Sequence, residues 1–271
     1  MKLMTLNTHS LMEENYEYKL NVLVNAIVKY NVDVIALQEI MQPISGKEID
    51  VSCHNEGIIP LKEGNHALNA VKKLNEKENK YKFAWVGFKK SYNSFDEGLA
   101  IITPHEISET RQIILSPFDD YENWRTRKAL GALINGEWFY SVHTGWWESC
   151  ESPLRQEIAT LTQKTVTSKP LWLMGDFNSI SSERDKGYDL LVQSGLYDTY
   201  CLAKNKDNGI TAKTSIDGWS PNEKEREIRI DYIFSNKIRK IDSSYTVFNG
   251  KTEPIVSDHY GILVTTGEEI S

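Results

Sequence analysis

The side chains of this sequence that could do chemistry stand at the ends of apolar runs. The plainest case is Leu171-Trp172-Leu173-Met174-Gly175-Asp176-Phe177-Asn178, where an unbroken apolar run reads as a buried strand and stops at a glycine. Gly175 can take backbone angles closed to other residues, and a carboxylate and an amide follow just past it. A carboxylate placed there needs a charged or hydrogen-bonding partner, because burying it alone is very costly. Taken alone, the stretch is equally a strand-to-turn junction, since Asp and Asn are common turn residues. The same arrangement recurs, however. Asn7 ends the run from Lys2, Glu39 follows Val32–Leu37, and His143 ends Trp138–Val142. Asp231 lies in Arg229–Phe234, and the pair Asp258-His259 stands just before Gly261–Thr265. Catalytic groups held on loops by a rigid sheet are what an enzyme site requires.

The residue types agree with one another. The carboxylates of Glu39, Asp176 and Asp258, with the amides of Asn7 and Asn178, are hard oxygen ligands. Such ligands suit magnesium, manganese or calcium rather than zinc. The imidazoles of His143 and His259 can donate to phosphate oxygens or relay protons. Carboxylates, amides and imidazoles around Mg²⁺ or Mn²⁺ form a set suited to phosphate-ester hydrolysis, in which the metal neutralises charge and a positioned water attacks in line.

The elements that must carry these residues are mostly short strands with helices between some of them. Apolar residues at helical spacing predict a helix over Tyr16–Tyr30, which Asn31 could end. Further helices are predicted over Ala67–Asn79, from Ser152-Pro153 to Val166, and over Lys186–Gly195. Strands are predicted over Tyr81–Phe88, Glu97–Ile102 and Ile107–Leu115, and a hairpin joins Lys128–Ile134 to Trp138–His143 through Asn135-Gly136. Met41–His66 and Asn205–Glu227 read as long loops, the first a lid or binding loop. Hairpins and single crossovers together point to an α/β (α+β) chain of two mixed sheets packed face to face with helices outside, in a single domain over residues 1–271.

Hydrophobic residues make up 40% of the chain and charged residues 25%, enough for a sizeable core under a soluble surface. The net charge of −7 counts against a partner bound mainly through nucleic-acid phosphates, which calls for a basic balance. Three scattered cysteines suggest neither a disulfide framework nor a zinc site. The start of the chain turns polar too early for a signal peptide, and no apolar run has membrane-spanning length, so a cytoplasmic protein with no membrane contact and no obligate protein partner is expected.

In this order, the motifs Thr5-Leu6-Asn7, Leu37-Gln38-Glu39, Glu97-Gly98-Leu99-Ala100-Ile101, Ser141-Val142-His143, Gly175-Asp176-Phe177-Asn178, Arg229-Ile230-Asp231-Tyr232 and Ser257-Asp258-His259 resemble those of the endonuclease/exonuclease/phosphatase superfamily of magnesium-dependent phosphoesterases. The resemblance runs from Leu3 to Tyr260 and implies the four-layer α/β/β/α, DNase I-like sandwich. It implies that Glu39, with Asn7 and Asp258, lies on the metal side. It further implies that Asp176 positions or deprotonates the attacking water and that Asn178 holds the phosphate or that water. His143 and His259 would contact phosphate, Asp231 would orient His259, and Glu97 would orient His143.

Fold does not settle substrate in such a family. His143-Thr144-Gly145-Trp146-Trp147-Glu148 places two tryptophans beside a candidate catalytic histidine. Indole faces stack on the apolar faces of sugar rings, and Glu148 could bond hydroxyls. The same stretch and Thr5-Leu6-Asn7-Thr8-His9-Ser10 resemble a bacterial subgroup that includes maltose 6′-phosphate phosphatase. A small phosphorylated sugar is therefore the expected substrate. A magnesium-dependent nuclease and a catalytically silent relative are the alternatives. Arg125-Thr126-Arg127-Lys128 could grip a phosphate, Arg127 being nearest the following strand, or could be a solvated turn. His54, His66 and His105 are expected in loops or at the surface.

Overall fold

In the computed structural model, which describes residues 1–51, 53–78, 80–147, 153–216 and 225–267, two sheets pack face to face. The long strands are β1 (Lys2–Asn7), β2 (Val34–Pro43), β3 (Lys82–Ser91), β4 (Phe95–Thr103), β5 (Ile107–Ile114), β6 (Lys128–Ile134), β7 (Glu137–His143), β8 (Leu171–Asp176), β9 (Asp231–Ser235), β10 (Ile241–Val247) and β11 (Gly261–Thr266). The first sheet runs β10-β11-β1-β2-β4-β3, with Asn205–Lys206 and His54–Asn55 at its two edges. The second runs β9-β8-β7-β6-β5, edged by Tyr197–Asp198 beside β9.

The unbroken apolar runs follow from this layering, because the central strands are buried on both faces. Leu3, Val34 and Ala36 face the second sheet and meet Phe139, Trp172 and Met174. Their neighbours Met4, Ile35 and Leu37 point the other way, against helices α1 (Tyr16–Tyr30) and α2 (His66–Lys77). Leu171, Leu173 and Phe177 likewise meet α3 (Pro153–Lys164) and α4 (Gly187–Gln193). This is the α/β/β/α order expected from the sequence. No helix among the described residues is long and apolar enough to cross a membrane.

Register places the candidate residues. Two parallel pairs, β1–β2 and β7–β8, form the centre. In the second sheet, pairing puts His143 opposite Asp176 and Asp176 opposite Asp231, one row across three strands. In the first sheet Asn7 lies opposite Gln38, next to Glu39. A buried polar chain ties the sheets together beneath that row. Thr5 donates to the Gln38 side-chain oxygen (3.3 Å), Gln38 donates to the Ser141 hydroxyl (2.9 Å), and Ser141 donates to the Leu37 carbonyl (2.9 Å).

Some elements differ from the sequence reading. Of the loop expected over Met41–His66, the first three residues belong to β2 and His66 to α2, and the described residues between them, 44–51 and 53–65, form no lid. Ile59 and Leu61 are buried, Glu48 bridges Lys62, and Glu56 accepts hydrogen bonds from Thr110 and Gln112, so the stretch seals one edge of the sandwich. The weakly apolar Ile-Asp-Ser-Ser-Tyr-Thr-Val carries no strand signal of its own, and β10 is held by its ladder with β11. The β3–β4 hairpin turns through Tyr92 and Asn93, both at positive φ, an unusual pair for that turn. His66 is buried at the start of α2 rather than exposed, with Nδ1 against the Tyr16 hydroxyl at 3.1 Å.

Two outcomes follow from this packing. Gly175 sits at φ 153°, and a Cβ there would lie 1.9 Å from the Val142 carbonyl oxygen. Gly175→Ala should therefore break the β7–β8 pairing and cost more than about 3 kcal/mol, read as a lowered urea midpoint. Burial pushes the His66 imidazole down to about 4, against an ordinary value of 6.5. Between those values only the unfolded chain takes up the proton. Stability is thus full above about pH 6.5 and falls toward pH 4, by roughly 3 kcal/mol in total. His66→Gln should shrink the difference between urea midpoints at about pH 7 and about pH 4.5.

Candidate active site

The strand ends converge on a cleft of about 260 Å³ whose floor carries Glu39, His143, Asp176, Asn178, Asp258 and His259. Asp176 Oδ2 lies at its centre. Asn7 Nδ2 donates to it at 3.1 Å and to Glu39 Oε1 at 3.0 Å, so one amide from the first sheet holds a carboxylate from each sheet. His143 Nε2 stands 3.6 Å from Asp176 Oδ2 and His259 Nε2 3.8 Å from it. The other ring nitrogen of His259, Nδ1, faces Asp231 Oδ2 at 3.0 Å. The second oxygen of Asp176 accepts from the Asn178 backbone N–H at 2.8 Å.

Local backbone form aims these groups. Register slips between Leu37 and Ile40, and Glu39 takes φ 52° at the bulge, which redirects its carboxylate out of the strand. Asn178 takes φ 45°, and its side-chain nitrogen donates to the Thr144 carbonyl at 3.0 Å. Such conformations cost about 1–3 kcal/mol each and persist only where surrounding contacts enforce them. The Asp231 backbone is held by the Thr211 hydroxyl, which accepts its N–H at 3.2 Å.

The charges are arranged unevenly. Burial, and then the charge of Asp231, raise the Asp176 carboxyl to about 7. Burial, with the cations Arg127 and Lys89, pushes His143 well below its ordinary value, so that ring is neutral. Burial also opposes charge on His259, but Asp231 and Asp176 outweigh it and the imidazolium is favoured. Burial, then Glu97 and Asp258, raise the Glu39 carboxyl.

Not every expected residue stands where the sequence placed it. Glu97 does not face His143 as an orienting partner. It lies opposite Lys89 in the β3–β4 ladder, and its Oε1 pairs with Lys89 Nζ at 2.9 Å. Asn7 presents its amide nitrogen, not its oxygen, to Glu39, because two carboxylates compete for that donor. Trp146 lines the cleft, whereas Trp147 packs toward the α3 side with Arg155 over its ring, so the two neighbours face different ways. Glu148 lies outside the described residues. Arg127 is buried and lines the cleft, so it is no solvated turn residue. Sequence reasoning missed Lys89, Tyr92 and Trp124 on the cleft wall. A lysine pair closing an apolar strand after Phe88 was the available signal for Lys89.

The donor set fits a divalent cation. Glu39, half-buried, is crowded by Glu97 and Asp258, and a cation would relieve that repulsion. Among the described residues, Asp176, Asp231 and His259 form one cluster close enough to share an ion, and His9, Glu13 and Asp258 another.

The sequence matches the endonuclease/exonuclease/phosphatase family over residues 4–259. The chain belongs to that family. Members of the family are divalent-metal-dependent hydrolases, phosphatases and nucleases among them. A solved family protein from Leptotrichia buccalis C-1013-b is 32% identical, with a TM-score of 0.87 over 99% of this chain and 100% of that one. A mannosyl-6-phosphatase from Bacteroides thetaiotaomicron is 18% identical, with a TM-score of 0.65 over 99% and 100% of the two chains. A 3′ phosphatase from Neisseria, bound to a product DNA hairpin, is 16% identical, with a TM-score of 0.67 over 99% and 100%. Among curated proteins no sequence matches the chain.

The Asp231–His259 contact has a direct readout. In Asp231→Asn the anionic partner is gone, so the His259 imidazole should titrate at lower pH than in the parent protein. Its ring resonances, followed by NMR from about pH 5 to about pH 8, should show the neutral form gaining at neutral pH.

Proposed function

We propose that the chain is a metal-dependent phosphomonoesterase that removes phosphate from a small phosphorylated sugar. The observation that carries this reading is the shape of the cleft. A polar floor of carboxylates and imidazoles is walled on one side by Trp124 and Trp146, whose rings lie 5.8 Å apart at a tilt of 53°. A cleft of about 260 Å³ is near the small end of ligand pockets and suits a compact ester. Indole faces beside it offer stacking to a sugar ring. The acidic net charge of −7 and the mannosyl-6-phosphatase among the fold relatives favour the same substrate class. The free thiols of Cys53 and Cys201 suit a cytoplasmic enzyme.

In this reading Glu39 and Asp258 would hold Mg²⁺ or Mn²⁺, with Asn7 spacing Glu39 from Asp176. The ion, when bound, supplies neutralisation of phosphate charge. Asp176, raised to about 7, positions the attacking water and accepts its proton, since a base works best with its pKa near the working pH. Asn178 braces that carboxylate through its backbone N–H. The His259 imidazolium, steadied by Asp231, donates to a phosphate oxygen, and neutral His143 offers a second donor without added charge. Arg127 and Trp146 contact substrate; Trp147 does not. A nucleic-acid terminus is the second reading, favoured by the fold shared with the Neisseria 3′ phosphatase.

A panel of sugar phosphates assayed with Mg²⁺, beside single- and double-stranded nucleic acid, separates these readings. Phosphate release from a sugar phosphate, lowered roughly 10²–10⁴-fold in Asp176→Asn, is expected. Trp146→Ala should raise KM for the sugar phosphate and leave an aryl phosphate little changed. Cutting of DNA or RNA with no release from any sugar phosphate would sink the proposal in favour of a nuclease.

A further inference from the structure

We infer that Arg127 and Lys89 form a cationic seat that reads the second negative charge of a terminal phosphate, so that the cleft accepts phosphomonoesters and discriminates against diesters. The inference rests on the phosphoester-hydrolase reading of the same cleft and adds its selectivity.

Arg127 is 2% exposed and Lys89 6% exposed, yet both line the cleft. The Arg127 backbone is pinned, with its N–H donating to the Ser116 hydroxyl at 3.0 Å and its carbonyl accepting from Leu115 N at 2.9 Å. Nη1 of the guanidinium donates to the carbonyls of Trp124 (2.8 Å) and Thr126 (3.2 Å). Its Nε is buried and bonds nothing, and among the described residues no carboxylate pairs with the group. Glu157, a buried acid within electrostatic range, is engaged by the Gly145 N–H at 2.7 Å. Lys89 donates to Trp124 O at 3.3 Å and is paired with Glu97 at 2.9 Å.

Among the described residues Glu97 is the one carboxylate in contact with this pair, through Lys89; Glu157 and Glu39 lie within electrostatic range, and no carboxylate contacts the Arg127 guanidinium. A buried guanidinium with no carboxylate in contact is costly and is kept where an anion is bound. A phosphomonoester carries about −1.5 to −2 at neutral pH, whereas a diester carries a single negative charge. Two buried cations lining one cleft favour the more highly charged ester. With Nη1 held by the two carbonyls and Nε buried, Nη2 is the guanidinium nitrogen left to meet a phosphate oxygen. A plain structural arginine, tying the 124–126 turn, would affect stability without telling the esters apart.

The test compares the parent protein with R127M, R127K and K89M, all with Mg²⁺ present. The substrates are p-nitrophenyl phosphate and bis-p-nitrophenyl phosphate, and inorganic phosphate binding is followed by calorimetry. Loss of one charge-assisted hydrogen bond predicts a fall of about 10-fold to 10²-fold in kcat/KM on the monoester in R127M, with the diester changed less than about threefold. Phosphate affinity should fall at least about tenfold in R127M, and less in R127K, which keeps charge without the fork. Equal losses on both esters with phosphate affinity unchanged would overturn the seat and leave the hydrolase reading intact. If the parent cleaves neither ester, the hydrolase reading fails, and the phosphate titration still decides the seat. Should R127M unfold, the same comparisons are read from R127K and K89M.

Discussion

A carboxylate buried at the seam between two sheets is the constraint on which this structure depends. Asp176 is 1% exposed, and an uncompensated charge there would be prohibitive. Its surroundings are built around that cost. One oxygen takes the amide of Asn7 and faces two imidazoles, and the other takes the backbone N–H of Asn178. Those partners come from both sheets, from the turn after β8 and from the loop before β11. Keeping Asp176 in place therefore requires the sandwich to close in one register.

Backbone geometry answers that requirement. Only a glycine at 175 lets β7 and β8 approach closely enough to set His143 beside Asp176, since any Cβ would enter the Val142 carbonyl. The Thr5–Gln38–Ser141 chain couples the β1–β2 pair to β7 in the layer below, where an apolar interface alone would tolerate sliding. The bulge that turns Glu39 outward belongs to the same scheme. It gives up regular pairing at one point of β2 to aim a carboxylate at the cleft.

The cleft has a division of charge that local sequence does not reveal. The carboxylates of Glu39 and Asp258 and the cations Lys89 and Arg127 line one cleft, with His143 kept neutral by burial and those cations and His259 kept charged by Asp231. A phosphate ester can use both, the carboxylates being suited to a metal and the cations to anionic oxygens. The aromatic rim of Trp124 and Trp146 lies at the mouth, where Trp124 is 52% exposed and available to a bound ring.

The sequence alone determined the strands that carry the floor and the residues standing at their ends. An apolar run followed at once by Asn7, Glu39, His143 or Asp176 is a local signal, because burial on both faces demands unbroken apolar residues and the chain can show polar groups only where the sheet ends. The helices over these strands were legible from apolar residues at helical spacing, whereas the parallel pairing of β1 with β2 and of β7 with β8 came from the structure. Partnership was not legible either. Whether Glu97 meets His143 or Lys89 depends on which residue of β3 lies opposite it, and the bulge between Gly87 and Lys89 sets that. Whether Trp146 or Trp147 faces the cleft depends on how the segment leaves β7, and Arg127 is held through Ser116 and Trp124 at the two ends of the loop before it. Strand β10 exists through its ladder with β11. Each of these is settled by pairing and packing between residues distant in the chain, and only the tertiary structure brings those residues together.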